Sequence, residues 1–118
     1  MDIESLRNYC LSKPAAEETL PFGPDTLVYK VGGKIFLICS MNAEPLQFNV
    51  KCDPEKVIEL RERYECVQPG YHMNKKHWNT IIVDGTVSNS MLKEWIDDSY
   101  ELIVDSLPAK AKAQLKSK

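Results

Sequence analysis

One hundred and eighteen residues, 43% hydrophobic and 27% charged, suit one globular domain and exclude a multidomain enzyme or a globally disordered chain. The longest run of large apolar side chains, Ile35-Phe36-Leu37-Ile38, falls far short of the roughly 20 residues that cross a bilayer. The formal charge of −2 is unevenly spread: four of the 15 basic residues lie in residues 107–118, leaving 11 against all 17 acids, net −6, in the rest. Such a body repels a phosphate backbone unless its cations gather on one face.

Met1 is followed by Asp2 and Glu4 rather than a basic flank and an apolar stretch, which predicts a cytoplasmic protein without a secretory signal. Residues 2–12 read as a helix capped by Asp2, with Ile3, Leu6 and Cys10 as its apolar stripe. Residues 13–25 hold three prolines and read as loop, with room for one helical turn at 15–20. Two runs of strand formers, 26–31 and 34–39, are separated by Gly32-Gly33, the pair that a tight two-residue hairpin demands. Residues 46–51 alternate, with Leu46, Phe48 and Val50 inward and Gln47, Asn49 and Lys51 outward, so one sheet face is dry and the other wet.

Asp53-Pro54 starts a second helix, a carboxylate cap followed by proline at the first helical position. Val57, Leu60 and Tyr64 line its buried side, and Glu59, Arg61, Glu62, Arg63 and Glu65 read as a solvated face. Gln68-Pro69-Gly70 is a turn, 71–77 is irregular, and 78–83 is a fourth strand. The last helix runs from Ser88 or Asn89 to about Leu107, with Leu92, Trp95, Ile96, Ser99, Ile103 and Leu107 on one stripe. Its like-charge pairs Glu94/Asp98, Asp97/Glu101 and Glu101/Asp105 disfavour the isolated helix, so packing must hold it. Residues 109–118 form a lysine-rich tail or frayed helix extension beyond a domain of residues 1–108. The order α-β-β-β-α-β-α predicts an α+β two-layer sandwich, an antiparallel sheet with helices on one face.

Chemistry-bearing motifs are sparse. Cys10, Cys39, Cys52 and Cys66 form no CxxC pair and read as four reduced thiols. His72 and His77 lack the further ligands a metal needs, and GxSxG, phosphate-loop and dinucleotide motifs are missing. Glu17 and Glu18 read as solvated loop acids. A dyad of Cys52 or Cys66 with His72 or His77 would require a lowered thiol pKa. No catalytic residue, metal or cofactor is therefore assigned.

The richest local segment is 71–80. Lys75 and Lys76 suit phosphates, Asn74 or Asn79 a base edge, and Tyr71 or Trp78 an unpaired base. The row Gln47, Asn49 and Lys51 extends that surface if its strand lies nearby. The bland alternative makes Tyr71 and Trp78 core aromatics, Asn74 a turn cap, and the lysines solubilising charges.

Four strings, Pro21-Phe22-Gly23-Pro24-Asp25, Val31-Gly32-Gly33-Lys34, Asn49-Val50-Lys51-Cys52-Asp53-Pro54 and the stretch from Pro69 to Asn79, resemble the signatures of the MmcQ/YjbR family of small bacterial proteins. The resemblance covers about residues 2–108. It implies a fold like that of the bacterial frataxin homologue CyaY, and the family is often labelled DNA-binding with a double-wing arrangement. Gly32 and Gly33 match the hairpin glycines, Lys51 the basic end of the third strand, and Tyr71, His72, Asn74, Lys75, Lys76, His77 and Trp78 the long motif.

The resulting expectation is a nonenzymatic cytosolic domain that binds DNA, not membrane, through the 71–80 loop and the outer sheet face. Lys51, Lys75 and Lys76 would position phosphates, while Asn49, Asn74, Asn79, His77 and Trp78 would make closer contacts. The alternative is a protein- or small-ligand-binding module without nucleic-acid recognition.

Overall fold

Three capped helices frame the chain in the computed structural model, which describes residues 1–70 and 73–116, Lys116 by its backbone alone. Helix α1 (Ile3–Leu11) starts at a capping box: the Asp2 carboxylate accepts from Ser5 N at 2.8 Å, and Ser5 Oγ accepts from Asp2 N at 3.0 Å. Helix α2 (Pro54–Arg63) starts at Asp53, which accepts from Glu55 N at 2.9 Å ahead of the proline. Helix α3 (Asn89–Asp105) starts at Ser88, whose hydroxyl accepts from Met91 N at 3.1 Å. All three starts are the ones the sequence predicts, because each depends on side chains within three residues of the cap.

Six strands, β1 (Glu17–Thr19), β2 (Thr26–Val31), β3 (Lys34–Ser40), β4 (Gln47–Lys51), β5 (Val67–Pro69) and β6 (Trp78–Ile82), form one antiparallel sheet in the order β1-β2-β3-β4-β6-β5. The hairpin between β2 and β3 turns through Gly32 and Gly33 at φ +59° and +81°. Gly32 has a second reason to lack a side chain, since a Cβ there would come within 2.7 Å of Leu107 Cδ1. An α+β fold with helices packed on an antiparallel sheet is what the sequence predicts. Three details differ. Residues 15–20 supply the edge strand β1 instead of a helical turn, and Gln68-Pro69 belongs to the opposite edge strand β5 instead of a turn. Residues 109–116 form a fourth helix, α4 (Ala109–Lys116). A three-residue edge strand carries too little periodicity to be read locally; its neighbour's open backbone groups decide it.

The registers define rows that run across the sheet. Glu18, Tyr29, Leu37, Val50, Asn79 and Pro69 make one row, and Leu27, Cys39, Phe48, Ile81 and Val67 the next. Both rows face the helices, where Leu6 and Cys10 of α1 and Trp95, Ile96, Tyr100 and Ile103 of α3 complete the core. Glu18 is half-buried, accepting from Arg7 Nη2 at 2.9 Å and from Tyr29 Oη at 3.0 Å, so it is a structural acid and not a solvated one.

The inner face departs from strict alternation at a bulge. Tyr29 pairs with Leu37 and Lys30 with Ile35, which leaves Phe36 as the extra residue. Phe36 and Leu37 are consequently both fully buried, and the Phe36 ring meets Tyr100 edge-on at 5.3 Å. Extending the β3–β4 register beyond Leu37 and Val50 sets Phe36 against Lys51. The Ser99 hydroxyl stands between those two, accepting from Lys51 N at 2.8 Å and donating to Phe36 O at 2.6 Å. A serine on α3 thus substitutes for one rung of the ladder and fixes the helix to the sheet.

Ser99→Ala leaves two buried backbone groups without that partner. We expect a loss of about 2–4 kcal/mol in urea unfolding, against less than about 0.5 kcal/mol for the exposed control Ser90→Ala.

Candidate functional site

The sheet and two helices enclose an open cleft of ≈ 450 Å³. Val50, Asn79 and Ile81, from the inner rows of β4 and β6, form its floor. Helix α2 contributes Lys56, Glu59, Leu60 and Arg63, which recur at helical spacing and so share one face. Helix α3 supplies the opposite wall, including Trp95 and the acids Glu94, Asp98, Glu101 and Asp105. Tyr64, the C-cap of α2, meets Trp95 edge-on at 5.2 Å and braces the two helices against each other.

Asn79 is 1% exposed. Its side-chain oxygen accepts from Arg61 Nε at 2.7 Å. A guanidinium has donors and no acceptor, so the amide can face Arg61 only through its oxygen. The amide nitrogen is then directed elsewhere, and among the described residues it has no hydrogen-bond partner. A buried donor left in this state costs about 1–3 kcal/mol. On the α3 wall, partial burial raises the Asp98 carboxyl above its ordinary value, and Glu94 raises it further. Asp97 and Glu101 act the same way, while Lys56 from α2 opposes them.

The residues predicted to contact DNA are dispersed by the fold. Asn79 faces the helices from the inner row, not the outer surface as expected, because strand parity places it with Ile81. Asn74 makes a turn: its side-chain oxygen accepts from Lys76 N at 2.9 Å, and its backbone carbonyl accepts from Trp78 N at 2.9 Å. Asn49 does lie on the outer face, with Thr80 opposite it donating to its amide oxygen. His77 and Trp78 are half-buried, and Lys51 is half-buried at the rim of the cleft. Lys75 and Lys76 are exposed. The stacking role considered for Tyr71, and every role considered for His72, lies outside the described residues.

Two features escaped the sequence. Arg61 is half-buried instead of solvated: besides Asn79, its guanidinium donates to the Lys75 carbonyl and to Trp78 O at 3.2 Å. Its position four residues after Val57 was the available signal, since that spacing returns to the buried stripe. The outer face is also less wet than the alternation of β4 suggests, because Val28 there is fully buried.

All four cysteines are free thiols. Burial pushes Cys10 and Cys39 up to about 12. Cys52 is raised as well, by burial and then by Asp53 and Asp98, the reverse of an activated nucleophile, although its backbone N–H donates to the His77 carbonyl at 2.7 Å. Among the described residues no group of three or more His, Cys, Asp or Glu side chains is placed to hold a metal, and no helix is long and apolar enough to cross a membrane.

Comparison with known proteins adds kinship. The YjbR family model matches residues 11–102. The chain is 39% identical over 104 residues to YbdF of Escherichia coli O157:H7, covering 88% of this chain and 85% of that protein. It is 32% identical over 108 residues to YjbR of Escherichia coli K12, covering 92% of each; both relatives are described as uncharacterized. A crystal structure of a Deinococcus radiodurans protein with a DUF419 domain superposes at a TM-score of 0.92 with 36% identity, over 98% of this chain and 88% of that one. A Pseudomonas syringae crystal structure superposes at 0.75 with 25% identity, over 87% of this chain and 99% of that one.

Arg61→Lys removes the fork that reaches three acceptors at once. We expect a loss of about 2 kcal/mol in stability and faster hydrogen exchange at the His77 and Trp78 amides, both read by NMR.

Proposed function

This chain belongs to the YjbR family, and we propose that it works as a small-ligand-binding module whose site is the cleft between α2 and α3. The observation that carries this reading is the buried Asn79 amide nitrogen, a donor without a hydrogen-bond partner among the described residues, on a side chain that lines a concave, partly apolar site. Preformed clefts of about 300–1,000 Å³ with an apolar lining and a few fixed polar groups are the usual form of a small-molecule site. The volume of ≈ 450 Å³ lies within that range. The half-buried Leu60, Met91 and Leu102 supply apolar contact, and Arg61 holds the Asn79 amide in a single orientation.

A small fragment set of neutral, cationic and anionic aromatics, titrated against labelled protein, tests the site. Shifts should concentrate at the Asn79 side-chain amide, the Trp95 indole and the amides of α2 and α3. Leu60→Trp, which fills the cleft from α2, should suppress them while circular dichroism stays native. Shifts scattered over the surface, or indifferent to that substitution, would remove the cleft as the site.

A second reading, DNA binding through the turn before β6, is favoured by the exposure of both Lys75 and Lys76. It has to overcome the net −6 of residues 1–106. Affinity for duplex or single-stranded DNA should then fall steeply with salt, and the Lys75→Ala/Lys76→Ala variant should reduce the log–log slope by about 1–2. Binding that ignores salt, or its absence, would eliminate this reading.

A further inference from the structure

Among the described residues, six acids and three bases line the cleft between α2 and α3, a net of −3. The bases Lys51, Lys56 and Arg63 come from the end of β4 and from α2. Four of the acids, Glu94, Asp98, Glu101 and Asp105, come from α3 and follow one another at intervals of four, three and four residues. That spacing aligns them in a single stripe. Among the described residues none of the four forms an ion pair within 4.0 Å. Their like-charge repulsion is therefore left standing along one wall, with Trp95 beside it and the unpaired Asn79 donor at the floor.

We propose that the cleft selects a small organic cation, a compound with an ammonium or amidinium group at one end, an apolar body, and a hydrogen-bond acceptor at the other. The inference rests on the reading of the cleft as a ligand site and adds the chemistry of what enters it. Each part of the ligand answers a separate observation. The cation relieves the repulsion among four carboxylates that form no direct ion pair among the described residues and are opposed at Asp98 by Lys56 alone. The apolar body lies over the half-buried Leu60, Met91 and Leu102, beside the edge of Trp95. The acceptor meets Asn79 Nδ2, which Arg61 prevents from turning away. A metal ion fits less well, since no cluster of three ligating side chains occurs among the described residues and the floor presents a donor.

Asp98 is the member of the stripe closest to a test. Burial, Glu94, Asp97 and Glu101 raise its pKa, and Lys56 on α2 works against them, so a cation that replaces part of its lost hydration is bound better by the ionised form. Binding should consequently weaken as pH falls toward the carboxylate range.

Three related probes separate the parts: 2-(4-methoxyphenyl)ethylamine, 2-phenylethylamine, which lacks the ether acceptor, and 4-methoxyphenylacetate, which has the opposite charge. The first should shift the Asn79 side-chain amide and the Trp95 indole in NMR titrations. The second should bind about fivefold more weakly, the value of one neutral hydrogen bond. The third should leave both signals unmoved. Asp98→Asn should weaken the first probe about threefold, as expected for one partly exposed charge pair. Asn79→Asp keeps an acceptor toward Arg61 and removes the donor, so the preference for the methoxy compound over 2-phenylethylamine should vanish. If the acetate binds in the cleft as tightly as the amine, the cation is wrong while the cleft remains a ligand site. Failure of all three probes also overturns the cation, and the fragment titration then decides independently whether the cleft binds anything.

Discussion

Arg61 ties helix α2 to the turn before β6 and to the floor of the cleft. Its planar fork leaves α2 and reaches three acceptors on a segment 14 to 18 residues further along the chain. Two of these are backbone carbonyls, so the guanidinium holds the turn before β6 whatever side chains that turn carries. The third is the amide oxygen of Asn79, and here the constraint works by exclusion. A group with only donors forces the amide nitrogen the other way, where it is buried and no described residue receives it. One cation thus closes a turn, docks a helix and creates the unpaired donor of the cleft.

The opposite wall has a different origin. Helix α3 carries acids at spacings that repel, and its own sequence gives no reason for it to persist alone. Burial of Trp95, Ile96, Tyr100 and Ile103 holds it, together with the Ser99 hydroxyl inserted where β3 and β4 part around Phe36. Contacts with α1 settle one acid: Asp97 accepts from Tyr9 Oη at 2.6 Å and pairs with Lys13. The acids on the cleft side receive no such partner among the described residues. The carboxylate turned toward α1 is thus neutralised by a direct pair, whereas Asp98 on the cleft side is met only by the longer-range charge of Lys56.

Local signals carried the sequence reading wherever they were short-range. The caps at Asp2, Asp53 and Ser88, the Gly32-Gly33 turn and the alternation from Phe48 to Val50 each involve residues within a few positions of one another. The edge strands β1 and β5 were missed because three residues carry no period, and their pairing partners lie elsewhere in the chain. Phe36 joined Leu37 in the core through a bulge that depends on the register between two strands. The site was less legible than the fold. Residues 71–80 looked rich because their polar groups are adjacent in sequence, yet Asn74 turns the chain and Asn79 points into the helices.

The sequence by itself determined the helix starts, the central hairpin, the α+β class and the kinship carried by its motifs, since these are written in neighbouring residues and in their order. Only the tertiary structure decided what each polar group is for. Strand parity alone leaves open which face of β6 is buried, because Trp78 and Ile82 on one face are as apolar as Ile81 on the other. The choice falls when α2 and α3 cover the inner row, bringing Arg61 to Asn79 and the α3 acids to the rim of the same cleft. Charge and hydrogen-bonding capacity belong to a residue, but whether they are spent or left available depends on neighbours that are distant in the chain.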